Sequence, residues 1–69
     1  MVEVFKTNVE EPRQAEKLID ILSRNFPAHR INFDLDDCDK ILRIESYNNH
    51  ASGIIETLRE NGFLCEELE

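Results

Sequence analysis

The sequence predicts an α+β sandwich of βαββαβ order: one four-stranded antiparallel sheet with two helices on one face. Three observations predict it. Two segments repeat apolar residues at helical spacing, a clean period-2 alternation lies between them, and β-rich stretches open and close the chain. At 69 residues there is room for one core, so residues 1–69 are read as a single domain.

Residues 2–9 (Val-Glu-Val-Phe-Lys-Thr-Asn-Val) hold β-branched and aromatic residues and no breaker, and predict the first strand. Phe5, Thr7 and Val9 share one face and Val2 and Val4 the other; Phe5 and Val9 are assigned to the core. Pro12 suits the first turn of a helix, where its missing N–H costs nothing, and Glu10 and Glu11 favour the positive end of the helix dipole. Ala15, Leu18, Ile19, Leu22 and Phe26 then form an apolar stripe opposite Arg13, Glu16, Lys17, Asp20 and Arg24, and Pro27 ends the helix.

In residues 29–35, Ile31, Phe33 and Leu35 alternate with Arg30, Asn32 and Asp34, the pattern of a half-buried strand. Asp36-Asp37-Cys38-Asp39 is turn chemistry, and residues 40–46 resume strand character with Leu42 and Ile44 inward, giving a hairpin. Asn48 and Asn49 are N-cap candidates for a second helix with Ala51, Ile54, Ile55 and Leu58 on one side. Gly53 weakens that helix by about 1 kcal/mol relative to Ala, and Asn61-Gly62 suits a left-handed C-cap. Phe63, Leu64 and Cys65 predict a short closing strand. Assembled, these elements make a ferredoxin-like sandwich, with the loop before the first helix, the hairpin and the loop before the last strand at one end. The predicted core is Phe5, Val9, Leu18, Leu22, Phe26, Ile31, Phe33, Leu42, Ile44, Ile54 and Leu58.

Fifteen acidic residues against eight basic give a net charge of −7, which opposes binding to nucleic-acid phosphates or an anionic membrane surface. The acids are spread along the chain and read as a solvated surface. No stretch has the apolar length of a transmembrane helix, and Met1 to Lys6 lack a secretory-signal pattern, so the sequence points to the cytoplasm. There Cys38 and Cys65 are expected as free thiols.

Nothing in the sequence predicts catalysis or a bound cofactor. His29 and His50 begin elements with no nucleophile beside them and read as surface residues. Gly53 and Gly62 make no phosphate-cradling loop. Asp34, Asp36, Asp37 and Asp39, with Glu45 at the twelfth position, are superficially similar to a calcium loop, but Asp39 stands where the sixth-position glycine is needed. No Cys-x-x-Cys pair is present to clasp a soft metal. Cys65 reads as a small core residue. Cys38 reads as an exposed thiol whose neighbouring aspartates should slow its chemistry.

Three segments carry a family resemblance. Phe5-Lys6-Thr7-Asn8-Val9 is similar to the first strand, and Asp39-Lys40-Ile41-Leu42-Arg43-Ile44-Glu45 to the third strand, of small bacterial members of the heavy-metal-associated domain family. The run from Ile54-Ile55 to Gly62-Phe63 is similar to their second helix and last strand. This is the module of small copper chaperones and metal-pumping ATPase N-termini, and the resemblance covers nearly the whole chain. It implies the fold already read from the pattern, and a Cys-x-x-Cys loop between the first strand and the first helix. Here that loop is Glu10-Glu11-Pro12-Arg13-Gln14, with Glu11 and Gln14 in the two cysteine positions and neither a soft ligand.

The leading expectation is therefore a degenerate heavy-metal-associated-like domain without a metal site. It would serve as a protein-interaction or regulatory module for an unidentified protein partner or as a homodimer, through its edge strands and open sheet face. The alternative is residual copper or zinc binding or trafficking, with Cys38, Cys65 and Glu11 as candidate ligands. The hairpin and the last strand lie on opposite sides of a 4-1-3-2 sheet, so joint ligation by both cysteines needs distortion.

Overall fold

The computed structural model describes residues 1–47 and 50–68. Its elements run β1 (Val2–Thr7), α1 (Pro12–Asn25), β2 (Arg30–Asp34), β3 (Ile41–Glu45), α2 (Ala51–Glu60) and β4 (Cys65–Leu68). The strands form one antiparallel sheet of order β2-β3-β1-β4, the ferredoxin-like arrangement.

Register sets what lies under the helices. Phe5 stands opposite Leu42, which stands opposite Phe33; one pleat away Glu3 faces Ile44, and Ile44 faces Ile31. Phe5, Val9, Leu42 and Ile44 are buried with Leu18 and Leu22 of α1 and Ile54 and Leu58 of α2. Phe26, Ile31 and Phe33 complete the expected core as partly buried residues at its border. Ala15, Ile41 and Cys65 are buried as well.

Local chemistry fixes the helix ends. Pro12 opens α1, and Phe26 N–H donates to Leu22 O at 2.7 Å where Pro27 stops it. Beyond α2, Gly62 takes a left-handed φ of 88°. Its N–H donates to Arg59 O and the Phe63 N–H to Leu58 O, both at 3.0 Å, closing the helix in a Schellman motif. The N-cap position of α2 is His50; Asn48 and Asn49, the sequence candidates, lie outside the described residues.

Gly53 has a packing reason that the sequence did not show. A Cβ there would stand 3.0 Å from the Phe26 ring, so the missing side chain lets Phe26 lie against α2. The closing strand also differs from expectation. Leu64 N–H is taken by the Asn8 side chain at 2.8 Å, and the ladder starts only at Cys65, running through Glu66 and Glu67 with Glu66 opposite Lys6.

Candidate functional site

The two ends of the sandwich are built differently. At the end where β1 leads into α1, side chains hold the loops together. Thr7 Oγ1 donates to Lys40 O at 2.6 Å and accepts the Val9 N–H at 3.2 Å, while Thr7 N–H donates to Asp39 O at 3.1 Å. Glu11 and Gln14, at the positions where the resembled family carries cysteines, are the N-cap and N3 residues of α1. They form a capping box, in which Gln14 Oε1 accepts the Glu11 N–H at 3.3 Å. Both side chains serve the helix start.

The hairpin turn is also internally satisfied. Asp37 Oδ1 accepts the Asp39 N–H at 2.8 Å, Lys40 Nζ donates to Leu35 O at 3.0 Å, and Asp39 stands 3.8 Å from Lys6 Nζ. Lys40 itself adopts a left-handed φ of 48° to close the turn. Asp37, Cys38 and Asp39 bring one ligand atom each within 4.8 Å of one another.

The three ligand candidates of the metal reading are not assembled into one place. Cys38 is exposed in the hairpin joining β2 to β3, and Cys65 is buried on β4, at the opposite edge of the sheet, across from Thr7. Burial pushes the Cys65 thiol up to about 12, so at neutral pH it is a protonated core group and not a ready thiolate. Glu11 is exposed and held in its capping box.

The opposite end gathers residues that the sequence reading left apart. Glu3 lies on the helix-facing side of the central strand β1 and is only 6% exposed, its carboxyl set beside that of Glu67 and the backbone of His50. His29, expected at the surface, has both ring nitrogens buried and without a hydrogen-bond partner. Its ring lies 5.2 Å from that of His50 and 5.4 Å from that of Phe26, and His50 lies 5.6 Å from Phe26. His50 keeps its exposed character. Burial raises the Glu3 carboxyl above its usual range and the neighbouring Glu67 carboxyl raises it further, against a smaller lowering by the backbone and imidazole of His50. Burial, with His50 beside it, lowers His29.

No family model, curated protein or solved structure matches this chain. Its own surface therefore supplies the functional argument. Among the described residues, Met1, Val2, Tyr47 and Leu64 are the exposed large apolar side chains. Three of them, Met1, Val2 and Tyr47, line one shallow depression of about 440 Å³ together with Arg30 and Glu45.

A signal for the Glu3 cluster was present in the sequence. Period 2 places Glu3 on the same strand face as Phe5, Thr7 and Val9, and the βαββαβ order brings the segment after α1 and the segment before α2 to one end. The depression had no such signal. It depends on Tyr47, which belongs to no periodic element.

Proposed function

We propose that this chain is a non-catalytic interaction module, built on a heavy-metal-associated-like scaffold without that family's loop chemistry, and that it pairs with a second copy of itself. The clustering of Met1, Val2 and Tyr47 around one depression supports the reading, because scattered apolar residues are ordinary on a surface whereas a grouped set suits a partner. Arg30 and Glu45 face each other across the β2–β3 ladder at its rim. A patch carrying both signs can meet its own copy about a two-fold axis, Arg30 of one against Glu45 of the other. Reuse of Glu11 and Gln14 as helix-capping residues supports the loss of a metal role at the loop.

The net charge of −7 opposes self-association at a distance, so the pairing should strengthen with salt. Sedimentation velocity across micromolar concentrations at low and moderate salt tests it. A dimer that Tyr47→Asp and Val2→Asp convert to monomer is the expected result. A monomer at every concentration and salt condition overturns the self-pairing.

A further inference from the structure

The sheet has two open edges, β2 and β4, and their charges are arranged differently. The central residues of β4 are Glu66 and Glu67, so an antiparallel copy of that strand would set carboxylate against carboxylate. β2 reads Arg30-Ile31-Asn32-Phe33-Asp34, with a cation and an anion at equal distances from Asn32. Charges that only protect an edge need no such symmetry, and β4 shows how one sign does it.

β2 also carries apolar side chains that the fold covers incompletely. Phe5 and Leu42 are fully buried along one row of the sheet, and Ile44 along the next. Phe33 and Ile31, which continue those rows on β2, are only partly buried, as is Leu35 beyond them. Cover falls away where the sheet has no further strand.

We propose that β2 pairs antiparallel with β2 of a second copy about a two-fold axis at Asn32, joining two four-stranded sheets into one. In that register Arg30 of one copy stands opposite Asp34 of the other, Ile31 stands opposite Phe33, and the two Asn32 residues meet on the axis. Each Arg30 then lies between two acids, Glu45 of its own β3 and Asp34 of the other copy. Asp34 faces Ile41 in its own ladder, and the ion pairs among the described residues are Lys6–Asp39 and Arg24–Asp20, so the second copy supplies a charge partner that its own chain does not. On the helix side the Ile31–Phe33 pairs extend each core across the junction. A slip of one residue would set Ile31 against Asp34 and Phe33 against Asn32, apolar against polar. A slip of two carries one charged end past the strand of the other copy.

This contact uses the strand edge and shares only Arg30 with the depression around Met1, Val2 and Tyr47, so it goes beyond the pairing proposed above and does not rest on it. Five residues a side make a small contact, which sets in at a higher concentration, about 0.1 to 1 mM.

The test uses the full chain carrying Val2→Asp and Tyr47→Asp, which silence the depression, at moderate salt and up to about 1 mM, read by amide chemical shifts and sedimentation equilibrium. Expected are a dimer mass and concentration-dependent shifts of the amides of residues 30–34, with those of residues 65–68 unmoved. Asp34→Arg alone and Arg30→Asp alone should each raise the dissociation constant at least about tenfold, because each sets like charges opposite one another. An equimolar mixture of the two should restore pairing, since every charge across the axis then meets its opposite, and a merely structural effect would not be undone by mixing. Circular dichroism verifies that each variant folds. Asp34 lies outside the depression, so Asp34→Arg decides the matter by itself where Arg30→Asp disturbs the fold. A monomer with β2 unmoved at the highest concentration leaves the edge to some other strand and overturns the proposal. An unchanged dissociation constant in Asp34→Arg, or a mixture of folded variants that pairs no better than its parts, overturns it as well. The depression is judged separately, by whether the parent pairs at micromolar concentration.

Discussion

The two ends of this sandwich sit on the same core and manage their polar groups in opposite ways. Where β1 meets α1, Thr7, Asn8, Glu11, Gln14 and Asp37 each hold a backbone group, and the buried ionisable residue there, Cys65, rests in its neutral form. At the opposite end the Glu3 carboxyl is buried against that of Glu67, and both ring nitrogens of His29 are buried without a partner. Polar satisfaction is thus a local property, and in a domain this small the unsatisfied end stands out.

The largest test of that contrast rebuilds the first end. Glu11→Cys with Gln14→Cys places two thiols at the N-terminus of α1, where the helix lowers the nearer thiol's pKa. Titration with Cu(I), a soft ion that prefers thiolate, should show binding retained against a competing chelator in the double variant and not in the parent. Pro12 stands between the two positions and restricts the loop, so replacing it with a small residue should strengthen the site. A double variant that binds no better, with or without Pro12, would remove the main support for the family resemblance.

A second test asks whether Cys65 is the quiet group described. Its folded pKa is raised, so its contribution to stability is full below the unfolded value of 9.0 and is lost as the pH climbs towards about 12. The loss should reach on the order of 4 kcal/mol at the upper end of that window, seen as a falling urea midpoint that Cys65→Ala makes flatter. Equal alkaline loss in both proteins would place the titration elsewhere.

The third test concerns Glu3. Glu3→Met replaces a buried carboxyl crowded by that of Glu67 with apolar volume and should raise stability by about 1 to 3 kcal/mol by chemical denaturation. A destabilised variant would mean that Glu3 is satisfied in solution, and the two ends would then be alike.

The architecture was legible because its signals are periodic. The stripe Ala15, Leu18, Leu22 and the alternation Ile31, Phe33, Leu35 allow only one face to turn inward, and both lie against the core. Element ends were less legible: β4 starts at Cys65 because the Asn8 side chain occupies the Leu64 N–H, a contact between residues remote in sequence. The Glu3 cluster was half legible. Strand period places Glu3 inward, but hydropathy favours an outward glutamate, and neither His29 nor His50 carries any local sign that the other will lie beside it. Gly53 likewise reads as a weak helix position until the Phe26 ring is seen against it.

The place of β1 in the sheet has a consequence for how the chain comes together. The first strand of the domain is a central one, with β3 on one side and β4 on the other. Its hydrogen bonds to β4 join Val4 with Leu68 and Thr7 with Cys65, so they wait until β4 has been synthesised. Until then Phe5, which closes the core from that strand, has one strand neighbour in place of two. During translation the nascent protein therefore carries an open strand edge, and the arrival of β4 is the moment at which that edge can close.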